Sequence, residues 1–287
     1  MSDKRPYAEV IGDPIAQSKS PVIHGFWLDQ AGIDADYCRS HVLSENLAAY
    51  IAGRRADPFW RGCNVTMPHK QAVMPLLDHI DPVAARIGAV NTIVREDGVL
   101  VGYNTDAAGF LEPLREALAD RHLFRMARIL GTGGAARAIV AALVDEGFIL
   151  VLSGRDPVKA KALLDELDPG GDHRVAALTH WADATDFAFD DREGCLDLVV
   201  NASLLGMTGQ PPLVLDFSHV PPGSLCYDIV TSPVETPFLA EARSRGFATV
   251  DGLAMLIGQA AVAFEKFYGK PAPRDGDADL RRQLIAS

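Results

Sequence analysis

This sequence has few of the features that mark a cross-linked, metal-bound, membrane-bound or nucleic-acid-bound protein. Its four cysteines (Cys38, Cys63, Cys195 and Cys226) are scattered, with no CxxC pair and no metal-ligand spacing. That argues against a disulfide framework, predicts no metal site, and fits a reduced cytoplasmic setting. No apolar run approaches the ~20 residues that a membrane span requires, and the N-terminal residues lack an apolar h-region, so neither span nor signal peptide is expected. Positive charge is in short supply, with 27 Lys and Arg against 38 Asp and Glu, a net charge of −11. Such a balance argues against nucleic acid and anionic membrane as main partners, but leaves room for one local site binding a small phosphorylated molecule. Internal repeats and low-complexity tracts are also missing. What remains is 287 residues of ordinary globular composition, 48% hydrophobic, enough for one large or two ordinary domains.

The first half alternates strand and helix. Tyr7 to Ile11 reads as a strand, and a helix starting at Pro21 ends at Ala31-Gly32. Asp36 to Val42 reads as a strand and Glu45 to Gly53 as a helix. The stretch Phe59 to Leu77 repeats the order, with Pro68 near the first helical position of an amphipathic segment, Gln71 to Leu77. Lys70 then falls in the first helical turn, where the helix dipole disfavours a cation. A short helix opens at Asp81-Pro82. This alternation predicts an α/β layer with a largely parallel sheet. Asp97-Gly98 is a strong hairpin signal between Val90–Glu96 and Val99–Tyr103. A two-residue turn pairs Glu96 with Val99, which puts Asn91 opposite Asn104 and Asp106 just beyond. One end of one hairpin therefore carries Asn91 and Asp106, and Asp106 can supply a carboxylate to meet Lys70. Taken singly, each has a plainer reading: a solvated lysine, and an Asn and an Asp that end strands.

After a helix from about Ala107 to Ala119, the chain restarts with a strand to Leu130 and the turn Gly131-Thr-Gly-Gly-Ala-Ala-Arg137. A helix to Glu146 and a buried strand from Phe148 to Leu152 follow. This is the strand–glycine turn–helix–strand order of a dinucleotide fold, in which glycines admit a pyrophosphate and the helix N-terminus stabilises its charge. Pro157 to Leu167 is a helix, and Asp168 to Glu193 is the least patterned segment. Strands follow at Leu196–Asn201, Leu225–Ile229 and Phe247–Val250, with a helix at Glu235–Arg245. Gly252 to Tyr268 shows the spacing of one buried helix face, with Gln259 beside its apolar stripe.

Together these stretches resemble the shikimate dehydrogenase family from about Val10 to Gly269. The matching motifs are SKSP at Ser18–Pro21, NVTMPHK at Asn64–Lys70, GAVNT at Gly88–Thr92, NTDAAGF at Asn104–Phe110, GTGGAAR at Gly131–Arg137 and DGLAMLIGQA at Asp251–Ala260. The resemblance implies a two-domain α/β fold: an N-terminal α/β substrate domain, residues 1–104 completed by 252–287, and a Rossmann-like NADP-binding domain, residues 105–251, with a cleft between them. It implies reversible reduction of 3-dehydroshikimate to shikimate with NADPH, on the route to chorismate and aromatic amino acids. Lys70 and Asp106 would be the acid–base pair. Ser18 and Ser20 would hold the substrate carboxylate, with Lys19 pointing away. Thr66, Asn91 and Gln259 would bind ring hydroxyls, and Thr231 stands at the substrate edge. Gly131, Gly133, Gly134, Ala135, Gly154, Arg155, Lys159, Ile229 and Gly252 would bind the cofactor, in a monomer or homodimer.

The sequence also departs from the family pattern. Gly25 stands where an Asn is frequent, Thr231 where many members have Tyr, and Ala254 replaces a Gly. The usual Asn-Arg-Thr of the NADP loop reads Gly154-Arg155-Asp156, with Lys159 in the place of a second Arg. Arg155 and Lys159 favour NADP, provided that Asp156 points to solvent or caps the helix starting at Pro157. The competing readings are a quinate/shikimate dehydrogenase using NAD and a non-catalytic dinucleotide-binding regulator.

Overall fold

A computed structural model describes residues 5–286, which form two compact units. One comprises the residues up to Gly109 together with those from Ile257 on, the other Phe110–Leu256. The boundaries expected at Thr105 and Gly252 lie slightly earlier than these changeovers. Both changeovers fall inside helices, Asp106–Leu111 and Gly252–Tyr268.

In the first unit six strands, β1 (Tyr7–Gly12), β2 (Asp36–His41), β3 (Trp60–Val65), β4 (His79–Ile80), β5 (Thr92–Glu96) and β6 (Val99–Tyr103), make one sheet in the order β2-β1-β3-β5-β6-β4. β1 runs parallel to β2 and β3, but β5 is antiparallel to both β3 and β6, so the sheet is mixed rather than largely parallel. The hairpin is responsible, because a two-residue turn can join only antiparallel strands. Asp97 (φ 48°) and Gly98 (φ 87°) take the left-handed conformations of such a turn. The register runs from Glu96 opposite Val99 to Thr92 opposite Tyr103, as the sequence indicates. β4, two residues long, was not expected, since so short a strand has no period to read.

Local signals explain the helix ends. Gly32 (φ 59°) terminates Ser20–Ala31 in a left-handed C-cap, and Asp81 accepts from the Val83 N–H to cap Pro82–Ile87. Two expected helices are broken. After Lys70 the helix His69–Ala72 lasts one turn and yields to a 3₁₀ turn, Met74–Leu76, because Pro75 has no N–H to continue the ladder. The dipole argument for Lys70 falls with it, since a single turn sums few peptide dipoles. Pro113 likewise divides the expected Ala107–Ala119 helix into Asp106–Leu111, a 3₁₀ turn and Arg115–Ala119.

The core of this sheet holds one buried charge. Glu9 on β1 is fully buried and accepts from Trp60 Nε1 (2.7 Å), Tyr50 Oη (2.7 Å), Ser40 Oγ (2.5 Å) and Arg54 Nε (2.8 Å). A buried carboxylate persists only when paired and hydrogen-bonded, and here it ties β1, β2, β3 and the Leu47–Ala56 helix together.

The second unit has six strands, β7 (Phe124–Leu130), β8 (Ile149–Gly154), β9 (Arg174–Ala177), β10 (Cys195–Asn201), β11 (Leu225–Asp228) and β12 (Ala248–Val250), in the order β12-β11-β10-β7-β8-β9. All its pairings are parallel. Read from β9, this is the doubly wound order 3-2-1-4-5-6, with its switch point between β7 and β10. β9 lies in the segment that shows no pattern in sequence. It is an edge strand whose main information is its pairing with β8.

Candidate active site

In the first unit, Lys70 and Asp106 meet. Lys70 lies in the His69–Ala72 turn that follows β3. The turn is held at one end by the buried His69 ring, whose Nε2 is 2.6 Å from the Val42 carbonyl oxygen, and the Lys70 carbonyl accepts from the Val90 N–H at 2.8 Å. Lys70 Nζ donates to Asp106 Oδ2 at 2.5 Å, and the two side chains are only 14% and 7% exposed. Asp106 starts its own helix, its N–H donating to Asn104 Oδ1. Its other oxygen, Oδ1, accepts from Asn91 Nδ2 at 2.8 Å.

The Asn91 amide has only one workable orientation. Its Oδ1 accepts from the Thr105 backbone N–H at 2.8 Å, a group that can only donate. The oxygen must face that N–H, so Nδ2 is turned towards Asp106. The Thr105 hydroxyl, itself buried, accepts from Asn91 Nδ2 at 3.0 Å and donates to Gln259 Oε1 at 3.4 Å. Gly109 makes this meeting possible: a Cβ there would sit 2.7 Å from Gln259 Cβ and collide with its backbone. Lys70, Asp106, Asn91 and Gln259 therefore form one connected group of three potential donors and a carboxylate. A paired ammonium and carboxylate of such low exposure can hold or pass a proton at a fixed point.

Thr66 stands just before this turn, its N–H bonded to the Ile11 carbonyl, and a Cβ on Gly12 would lie 2.5 Å from its methyl group. Ser18 and Ser20 flank Lys19 at the start of the Ser20–Ala31 helix, and the Ser20 N–H reaches Ser18 Oγ at 3.4 Å. Lys19 donates from Nζ to the Leu284 carbonyl at 2.5 Å, and burial pulls its ammonium pKa below the ordinary lysine value.

The second unit places the glycine turn at the C-terminal ends of β7 and β10. Gly131 has φ 135°, and a Cβ there would strike the Ala202 carbonyl. Gly133 precedes the Gly134–Asp145 helix, whose N-terminus no side chain caps. A Cβ on Gly133 would meet nothing within 4 Å, so no packing within the protein demands a glycine there. Ala135 follows in the first turn. A Cβ on Gly154, at the end of β8, would come within 2.8 Å of the Thr132 methyl. Arg155 is exposed and, among the described residues, makes no ion pair or hydrogen bond through its side chain. Asp156 caps the Pro157–Leu167 helix, Oδ1 accepting from the Val158 N–H (2.9 Å) and the Lys159 N–H (3.3 Å). Its carboxylate is thus occupied, and Lys159 stands in that first turn. Ile229 donates its N–H to the Asn201 carbonyl, Thr231 follows two residues on, and Gly252 lies so close to the Ile229 and Val230 carbonyls that no Cβ fits.

The family model of the shikimate dehydrogenase substrate binding domain matches residues 10–93. The NADP(+) shikimate dehydrogenase of Sphingopyxis alaskensis is 54% identical over 284 residues, covering 98% of this chain and 97% of that protein. The chain belongs to the shikimate dehydrogenase family. Its fold agrees: a shikimate dehydrogenase crystallised with NADP+ superposes with a TM-score of 0.85 at 32% identity, over 99% of this chain and 95% of that one. The Thermus thermophilus shikimate 5-dehydrogenase, crystallised with NADP(H) and shikimate, gives 0.81 at 33% identity, over 97% of this chain and 99% of that one.

Two residues that bond to these groups carry little or no signal in the sequence. Thr105 lies inside the NTDAAGF motif, but a threonine at a strand end has no distinguishing pattern. Arg39 on β2 donates to the Ser18 carbonyl from Nε at 2.8 Å and Nη2 at 2.5 Å, a contact with no sequence signal at all.

Proposed function

We propose that this chain is an NADP-dependent shikimate dehydrogenase, an oxidoreductase that reversibly reduces 3-dehydroshikimate to shikimate. The Lys70–Asp106 pair, fixed by Asn91, is the observation that carries the mechanism. In the reducing direction the Lys70 ammonium gives a proton to the alkoxide that develops at the carbonyl, and in oxidation neutral Lys70 takes it back. Asp106 aims Lys70 and, through its oxygen shared with Asn91, orients the hydroxyl beside the reacting carbon. Asn91, Gln259 and Thr66 read the ring hydroxyls, so that an analogue lacking one leaves a buried polar group unpaired. Ser18 and Ser20 bind the carboxylate.

NADPH would supply the hydride. The second unit fits it on this chain's own geometry. Gly131, Gly133, Gly134 and Ala135 form an uncapped helix start open to a pyrophosphate. Arg155 has a free guanidinium for the 2′-phosphate, with Lys159 nearby, and the Asp156 carboxylate that could oppose them is engaged in its cap. Gly154 keeps the strand end narrow, Ile229 and Gly252 would line the nicotinamide side, and Thr231 would stand at the substrate edge. The direct test is shikimate-dependent reduction of NADP+, followed by absorbance of the reduced cofactor, in parallel with NAD+ and with quinate. Faster turnover of quinate with NAD+ would replace this reading by the quinate dehydrogenase one.

A further inference from the structure

The segment that carries Ser18 and Ser20 is held by two cations, Lys19 and Arg39. Lys19 occupies the N-cap position of the Ser20–Ala31 helix, with no side-chain cap bond. Locally this is a poor residue for that place, because N-caps need a side-chain acceptor and a helix N-terminus repels a cation. Its partner explains it. Leu284 lies in the last turn of the Asp277–Ala286 helix, where the dipole favours a cation. Lys19 Nζ bonds that carbonyl at 2.5 Å, across 265 residues of sequence. The terminal helix is itself seated: Leu280 and Leu284 are fully buried, and a Cβ on Gly276, just before it, would lie within 3.0 Å of the Gln30 amide on the Ser20–Ala31 helix. From the other side, Arg39 grips the Ser18 carbonyl with two donors.

We propose that Lys19 and Arg39 are positioning residues of the carboxylate subsite, and that through Lys19 the C-terminal helix sets affinity for the acidic substrate. This rests on the reading of Ser18 and Ser20 as the carboxylate ligands. With either tie cut, the loop must be ordered at the moment of binding, and the substrate bears that entropy. The loop is ordered equally in ground and transition states, so the loss falls on KM and leaves kcat almost unchanged.

The experiment measures shikimate oxidation by wild type, Lys19→Met, Lys19→Arg, Arg39→Met and the double variant Ser18→Ala/Ser20→Ala. It includes the inhibition constant of a neutral shikimate analogue whose carboxylate is replaced by hydroxymethyl. Lys19→Met and Arg39→Met are each expected to raise KM for shikimate about 5- to 20-fold, with kcat and the KM for NADP+ within about twofold. Lys19→Arg, which keeps a donor, returns KM to near wild type, and the neutral analogue binds all of these variants alike. Arg39 lies on an exposed face of β2, which keeps the test available if Lys19→Met does not fold. Unchanged KM in both methionine variants, beside a raised KM in the serine variant, overturns the inference alone. So does a loss shared by the neutral analogue, which would mark a general structural defect. An unchanged KM in the serine variant removes the carboxylate reading and this inference together.

Discussion

Lys70 Nζ and Asp106 Oδ2 are 2.5 Å apart although 36 residues separate them in the chain. Lys70 comes from a single helical turn after β3, Asp106 from the end of the β5–β6 hairpin, and the pairing of β3 with β5 joins the two. Two charges held by one sheet make a rigid acid–base unit, and removing either member has separable consequences.

Lys70→Ala removes the proton donor and should lower kcat by roughly 10²-fold or more, with a much smaller change in KM. Asp106→Asn keeps the shape and loses the charge, and is expected to lower kcat as well. Steady-state rates for the two folded variants decide the matter: near-normal turnover in either would make that residue structural.

Thr105→Val deletes a hydroxyl that joins Asn91 to Gln259 while keeping the backbone N–H that orients Asn91. The amide of Asn91 therefore stays turned towards Asp106, and kcat should hold. Gln259 loses one bond, so KM for shikimate should rise, with a stability cost of about 0.5–1.5 kcal/mol, the net value of a lost hydrogen bond. A denaturant melt combined with the kinetics separates the two effects. A collapse of kcat at unchanged KM would mean that the hydroxyl, not the N–H, sets the Asn91 orientation.

Arg155 and Asp156 are adjacent and should behave oppositely. Arg155→Ala is expected to cost at least ~2 kcal/mol of NADP+ over NAD+ discrimination if it bonds the 2′-phosphate as a charge-assisted pair. Asp156→Ala should leave that ratio nearly intact and lower stability by about 1 kcal/mol, the typical value of a lost N-cap. The readouts are kcat/KM for both cofactors at fixed salt, and melting temperature. A large shift of the ratio in Asp156→Ala would show that its carboxylate faces the cofactor rather than the helix.

The buried His24 ring should make stability fall in acid. Its ring is fully buried, stacked 4.0 Å from Tyr37, with neither nitrogen hydrogen-bonded, and burial pushes its pKa down to about 3. The folded state holds it neutral, whereas the unfolded chain takes up a proton below about 6.5. The unfolded state therefore binds more protons in this window. The stability tied to His24 is complete above the unfolded pKa and is lost as pH falls from about 6.5 towards 3, by up to ~4 kcal/mol. His24→Phe keeps a ring over Tyr37 and removes the titration, so its unfolding free energy should fall less steeply over that range. Parallel pH profiles for the two proteins would show that the His24 ring is hydrated.

Local information made much of this protein legible. Asp97-Gly98 sets the hairpin register because its turn type admits only one pairing, and that register alone brings Asn91 beside Asp106. Asp81, Asp156 and Gly32 mark helix ends through bonds made within a few residues. The glycine turn announces a doubly wound unit because strand, turn and helix follow one another within a few residues. Pro75 and Pro113 cut helices although an apolar period continues past them, because a proline interrupts the hydrogen-bond ladder whatever pattern surrounds it.

What tertiary structure alone decided are contacts between residues with no local relation. β4 and β9 exist through their partners, since two to four residues carry no period of their own. The Asn91 amide takes its orientation from the Thr105 N–H, and Thr105 finds Gln259 across 154 residues. Lys19, a poor N-cap by local rules, is explained only by the carbonyl of Leu284 at the far end of the chain. A hydrogen bond between distant segments depends on where packing delivers its two ends, and no pattern near either residue records that.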